Sequence, residues 1–146
     1  MPESDCAFCE IARGAAEAHV ALDEPAVLAF LDRRPLFPGH LLLVPRAHVE
    51  TLADLPGELV APLFSAAQRL ARAVERAMEA EGSFVAINNR VSQSVPHLHV
   101  HVVPRRRRDG LRGFFRPRTT YRDGAHAEEV RARIAAALAE ADAGSR

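Results

Sequence analysis

Three short runs of β-favouring residues open the chain: Val20 to Leu22, Val27 to Leu31 and Leu41 to Val44. Turn-forming stretches separate them, Asp23-Glu24-Pro25 and Arg33-Arg34-Pro35-Leu36-Phe37-Pro38-Gly39, so sequential antiparallel pairing is expected. The period then changes. Leu59, Leu63, Leu70, Val74 and Met78 recur at helical spacing, which predicts a long helix capped by Asp54, with Pro56 in its first turn and Gly82 as its stop. Pro62 inside that pattern predicts a kink or a split after one turn. Phe84 to Ile87 reads as a fourth strand, leading through Asn88-Asn89 to a fifth at Leu98 to Val103, entered at His97 and ended by Pro104. A helical turn at Cys6 to Ala12 and a second amphipathic helix at about 125–142, marked by Val130, Ile134, Leu138 and Ala141, complete the pattern. Runs of consecutive strands with two main helices predict an α+β domain built on about five antiparallel strands.

The fifth strand carries the chain's most telling feature. His97-Leu98-His99-Val100-His101 places three of the seven histidines on alternate positions. On a strand all three would share one face about 6.5 Å apart, which suggests a functional surface. A solvated face that happens to carry histidine and a zinc site shared by the imidazoles are the other readings. The absence of any acidic residue between Gly82 and Asp109 counts against a hydrolytic zinc.

With 146 residues, 48% of them apolar, the chain is expected to be a single domain, 1–146. No run resembles a membrane span and the N-terminus lacks a basic-then-apolar signal, so a cytoplasmic protein is expected, with no membrane or nucleic-acid partner. Cys6 and Cys9 are too close for a disulfide between them to constrain the unfolded chain much, and they read as metal ligands or free thiols. A redox pair is the rival, but the βαβ context is absent. Net charge is zero, yet all 19 basic residues are arginine, and eight of them fall in the segment 105–122 with Asp109 as the only acid among them. Arginine's planar fork suits phosphate oxygens, whereas a solvated loop would need no such partner.

Gln93-Ser94-Val95-Pro96 followed by His97-Leu98-His99-Val100-His101-Val102-Val103 resembles the signature of the histidine triad (HIT) superfamily. Cys6-Ala7-Phe8-Cys9-Glu10-Ile11, Ala29-Phe30-Leu31-Asp32 and Gly39-His40-Leu41-Leu42-Leu43-Val44-Pro45-Arg46-Ala47-His48 extend the resemblance over residues 6–105. It implies a HIT-like fold, a homodimer joining two sheets, and hydrolysis or transfer at the α-phosphate of a nucleotide through a nucleotidyl-histidine. The substrate would be a purine nucleoside phosphoramidate, a nucleotidyl adduct or a dinucleoside polyphosphate. By the same resemblance His99 is the nucleophile, His101 a phosphate donor, and Gln93 and Ser94 contacts to the phosphates and leaving group. Asp32 would meet the ribose hydroxyls, and Asn88 or Asn89 the ribose or the scissile phosphate. The loop from Asn89 to Gln93 is shorter than in better-known members and lacks glycine, so which asparagine corresponds stays open. A subset of bacterial members binds structural zinc through residues that here are Cys6, Cys9, His48 and His97.

Two other classes remain. One is a nucleotide-binding or RNA- or protein-interaction module without turnover, and the other a zinc-dependent hydrolase. His40, at a strand start, reads as a structural hydrogen-bonder, and His19 and His126 as surface residues. Some of Arg105, Arg112, Arg116 and Arg118 are expected to pack toward the phosphate pocket, with Phe114 and Phe115 anchoring the segment against the body or a second subunit.

Overall fold

The structure, a computed structural model, describes residues 3–111 and 119–144, and the side chains of all of these except 141 and 142. Arg112, Phe114, Phe115, Arg116, Arg118 and the side chain of Ala141 therefore lie outside the described residues. The chain divides into two compact units, Met1–Asp109 and Gly110–Arg146.

The first unit contains α1 (Ala7–Ala12), β1 (Val20–Asp23), β2 (Val27–Leu31), β3 (Leu41–Pro45), α2 (Gly57–Ala77), β4 (Gly82–Ile87) and β5 (Val100–Arg105). The strands form one fully antiparallel sheet in the order β1-β2-β3-β5-β4. Alternation along the inner strands sorts side chains to two cores. Val27, Ala29, Leu41, Leu43, Val100 and Val102 face α2, where they meet Leu63, Ala66, Ala67, Leu70 and Val74. Leu28, Phe30, Leu42 and Val44 face the other way, onto Cys6, Phe8 and Cys9 of the N-terminal segment. Strands covered on both faces read as continuous apolar runs, which is why β2 and β3 were so legible in sequence.

Four local expectations need correcting. Asp54 does not cap the long helix: it closes a short 3-10 turn, Leu52–Asp54, where its carboxylate accepts hydrogen bonds from the Thr51 amide and hydroxyl at 3.2 and 2.6 Å. The helix starts one turn later, with Pro56 at its N-cap, and runs through Pro62 as one uninterrupted element. Gly82 is not its stop either; Glu79 takes the left-handed turn at φ 51° after the Met78 C-cap, and Gly82 already belongs to β4. The fifth strand begins at Val100 and includes Pro104. A proline is tolerated there because β3 pairs with β5 only as far as Val102.

The second unit holds α3 (Gly124–Gly144). Asp123 caps it, its carboxylate accepting the His126 amide at 2.7 Å. The predicted apolar face is present in sequence but not buried in this unit: Ile134 and Leu138 are 65% and 61% exposed.

Candidate functional site

The three histidines lie on the sheet face that the N-terminal segment covers, and most of the row is buried, although a functional surface and not a core stripe was expected of it. His97 is 0% exposed and His99 3%. Phe8, from α1, stands edge-on to both rings, with centroids 5.9 and 5.2 Å away, and also to Phe30 at 5.4 Å. Only the far end of the row opens onto a cavity of about 1380 Å³, whose wall includes Phe8, Asp32, Ser94, His99 and His101.

Hydrogen bonds fix the tautomer of each ring, because a carbonyl can only accept and an amide can only donate. His97 donates from Nε2 to the Pro45 carbonyl at 2.8 Å, leaving the lone pair on Nδ1. His99 donates from Nδ1 to the carbonyl of His97 at 2.7 Å, so its lone pair sits on Nε2. For His101 the constraint arrives through His40. The Leu36 amide donates to His40 Nδ1 at 3.1 Å, the His40 Nε2–H then donates to His101 Nδ1 at 2.9 Å, and His101 is left with an Nε2–H donor. Burial pushes His101 down to about 4, helped by the neighbouring His99 and His40 and opposed by Asp32. His40 is lowered for the same first reason, with Asp32 opposing and His99 adding to it. Both rings are therefore neutral near pH 7, as this relay requires.

His97 points its free Nδ1 at a second cluster. Cys6 Sγ lies 3.4 Å away, Cys9 Sγ 3.5 Å and His48 Nδ1 3.3 Å, and His48 Nδ1 is 3.3 Å from Cys9 Sγ. Zinc bonds of about 2.3 Å to sulfur and about 2.05 Å to nitrogen at tetrahedral angles place N and S about 3.5 Å apart, and two nitrogens about 3.3 Å apart. The four donors thus fit a tetrahedral zinc. Burial raises the Cys9 thiol to about 12, with Cys6 adding to it, so without a cation Cys9 keeps its proton at neutral pH. His48 Nε2 is buried with no hydrogen-bond partner among the described residues.

The remaining expected site residues separate into two groups. Asp32 and Ser94 join His99 and His101 on the cavity wall; Gln93, Asn88 and Asn89 do not. Gln93 donates to the Glu50 carbonyl at 2.6 Å and accepts the Arg90 amide at 2.7 Å, and Asn89 accepts the Leu52 amide at 2.8 Å. Both side chains pin the loop between β4 and β5, where Arg90 and Ser92 adopt φ of 67° and 61° without the help of glycine. Arg105 is likewise engaged elsewhere, forked onto Asp109 at 2.5 and 3.0 Å instead of lining the cavity. Arg106 bonds the Met78 carbonyl at the end of α2, and Arg107 pairs with Glu81 at 3.6 Å.

The HIT domain family model matches residues 13–108. The chain belongs to the HIT family. It is 39% identical over 108 residues to the uncharacterized HIT-like protein Rv1262c of Mycobacterium tuberculosis, covering 73% of this chain and 75% of the relative. Adenylylsulfatase HINT3 of Arabidopsis thaliana is 32% identical over 111 residues, 75% of this chain and 56% of that protein. The crystal structure of a zinc-bound histidine triad family protein from Mycobacterium smegmatis superposes with a TM-score of 0.70 at 37% identity, covering 98% of this chain and 99% of that one. The five-stranded antiparallel sheet with its helices is thus a HIT fold, in a family some of whose members hydrolyse nucleotides.

Two members of this HIT site escaped sequence reasoning. His40 is part of the cluster and not merely a strand-start hydrogen-bonder, because Leu42 pairs with His101 across β3 and β5 and brings the two rings together. Phe8 was visible only as part of the Cys6-x-x-Cys9 motif, with nothing local to say that it would pack on the histidines. His19, expected at the surface, is exposed and also forms part of the cavity wall.

Proposed function

We propose that this HIT protein is a nucleotide hydrolase or nucleotidyl transferase that cleaves at the α-phosphate through a nucleotidyl-His99 intermediate. The observation that carries this reading is the His99 Nδ1–H bond to the His97 carbonyl, which leaves the nucleophilic lone pair on Nε2 of a ring lining the cavity. Nε2 attacks the α-phosphorus, a P–N bond forms, and the bond to the leaving group breaks with its electron pair departing on that group. Water then attacks phosphorus and releases a proton to solvent, the P–N bond breaks with its electron pair returning to Nε2, and a nucleoside 5′-monophosphate leaves with His99 neutral again. The His101 Nε2–H donates to a non-bridging phosphate oxygen, where charge develops. Ser94 contacts the phosphate or leaving group, and Asp32 the ribose; Gln93, Asn88 and Asn89 would reach substrate only after local rearrangement of their loop.

Cys6, Cys9, His48 and His97 would hold zinc in a closed site that supplies structural cross-linking, since four protein donors leave no position for a reactive water. Purine nucleotides are the proposed substrates, with phosphoramidates, mixed anhydrides such as the one HINT3's name implies, and dinucleoside polyphosphates as the candidate classes. A cytoplasmic homodimer is the proposed state; β4 is an edge strand with Val85 exposed, and Val60 and Phe64 are exposed on α2. No helix among the described residues is long and apolar enough to cross a membrane.

Rapid quench into alkaline denaturant of the enzyme with adenosine phosphoramidate or a dinucleoside tetraphosphate tests the reading. The expected result is an acid-labile nucleotide on His99, formed equally with and without a brief chelator treatment. Turnover with no labelled histidine would overturn the mechanism, and immediate loss of turnover on chelation would favour the zinc-dependent hydrolase.

A further inference from the structure

Asp32 is followed by two arginines whose side chains the mechanism does not use. Arg33 and Arg34 are both exposed, both belong to the wall of the cavity that His99 and His101 line, and neither guanidinium has a hydrogen bond or ion pair among the described residues. The other arginine in that wall is different. Arg46 is fixed by the Ala12 and Glu24 carbonyls and by Asp23, so it is a structural brace. Of the acids in the wall, Asp23 is committed to Arg46, and neither Glu17 nor Asp32 pairs with either guanidinium among the described residues.

The backbone holds this arrangement firmly. Asp32 donates its amide to the His40 carbonyl at 2.9 Å, and its Oδ1 accepts the Arg34 amide at 2.9 Å, closing a turn that carries Arg33 and Arg34 at the cavity's edge. Its other oxygen, Oδ2, lies 3.7 Å from His40 Nε2. The carboxylate is thereby fixed in place, with the arginines one and two residues beyond it, at Cα steps of about 3.8 Å.

We propose that Arg33 and Arg34 form a subsite for a second phosphate carried on the ribose, so that the preferred substrates are nucleoside 5′-phosphoryl compounds bearing a 2′- or 3′-phosphate. The inference rests on the reading above, with the α-phosphate at His99 and His101 and the ribose at Asp32. A phosphate on one ribose hydroxyl leaves the other free to donate to Asp32, while the added dianion meets two guanidiniums whose planar forks match its oxygens. The position of the pair, directly after the carboxylate read as ribose-binding, assigns it to the sugar and not to the leaving group. Two exposed cations with no partner among the described residues, beside a site for an anionic ligand, also raise the local concentration of the more highly charged nucleotide.

Calorimetric titration with AMP, adenosine 2′,5′-bisphosphate and adenosine 3′,5′-bisphosphate tests this, using the full chain and its Arg33→Gln/Arg34→Gln variant at low ionic strength. In the parent one bisphosphate is expected to bind about tenfold or more tightly than AMP, the size of a charge-assisted contact. That ratio should fall to about one in the variant, and should shrink in the parent as salt rises. Equal affinity of AMP and both bisphosphates in the parent overturns the subsite and leaves the nucleotide reading standing. A preference that survives in the variant, or a variant that weakens AMP and the bisphosphates alike, also overturns it, the latter by assigning the arginines to the base or to general attraction. If none of the three nucleotides binds, the nucleotide reading itself falls.

Discussion

The same row of histidines ends in two unlike environments, and the difference shows how position decides what an imidazole does. At one end His97 is wholly buried, its Nδ1 converging with His48 and two thiols at 3.3–3.5 Å in a closed, four-donor set. At the other end His99 and His101 meet a cavity, and their partners are a backbone carbonyl and His40. In each case the nitrogen that is spoken for determines the nitrogen that is available: Nε2 is tied at His97, which leaves Nδ1 free for the Cys/His cluster; Nδ1 is tied at His99 and His101, which leaves Nε2 free in residues that line the cavity. The two ends meet in one residue. His97 gives its ring to the Cys/His cluster and its carbonyl to His99, so the proposed zinc site and the proposed nucleophile share a residue.

Substituting one member at each end should separate them by readout, and here the effects are largest. His99→Asn is expected to lower kcat by about 1000-fold or more while nucleotide affinity stays within a few-fold and the melting temperature barely moves. Cys9→Ser should do the reverse: zinc content falls from one per chain toward zero and the melting temperature drops by about 10 °C or more, because metal binding is coupled to folding. Turnover in the protein that remains folded should fall far less than for His99→Asn. A metal-free parent that melts where the zinc-loaded protein does would dissolve the contrast, since neither end would then be a structural cross-link.

Which parts of this contrast could be read in the sequence follows from which are local. His97-x-His99-x-His101 and Cys6-x-x-Cys9 are local patterns, and the strands β2 and β3 are local apolar runs, so each was legible. His40 was not, because its meeting with His101 depends on the register of β3 against β5, set by the whole sheet. Gln93 and Asn89 carried the right chemistry for a phosphate contact, but the loop that holds them needs their amides to satisfy Glu50, Arg90 and Leu52. Gly39 before His40 looked like an ordinary turn glycine. At φ 95° it also leaves no room for a side chain, since a Cβ there would come within 2.7 Å of Met78 Cγ. Only packing reveals that close approach.

The relay through His40 sharpens the comparison at an intermediate size. His40→Ala removes the donor that holds the proton of His101 on Nε2, and frees the tautomers to exchange. A fall in kcat of about 10- to 100-fold with little change in KM is expected, the scale typical of an outer-shell partner. His40→Gln, whose amide can donate to His101, should recover part of the loss. Zinc content should remain that of the parent in both variants, because His40 lies at the open end. Reduced zinc in either variant would mean that the two ends are not separable in this way.

Acid should weaken both ends for different reasons, and the smallest effect isolates the open one. At the closed end, protons compete with the metal for thiols and imidazoles. At the open end His101 is held neutral by burial, then by His99 and His40, down to about 4, whereas in the unfolded chain it titrates near the ordinary 6.5. Between these values the unfolded state binds a proton that the folded state refuses, so the stability present above pH 6.5 is lost progressively as pH falls toward 4. His40, lowered by the same burial, acts in the same direction. With zinc in excess, urea unfolding of the parent and of His101→Asn across pH 7 to 4.5 should give curves that diverge below about 6, the parent losing up to about 1.4 kcal/mol more per pH unit. Parallel curves would show that His101 takes up its proton as readily in the folded protein as in the unfolded chain. The Nε2–H donor at neutral pH would then owe nothing to a buried relay, and the open end would be distinguished from the closed one by its lack of metal alone.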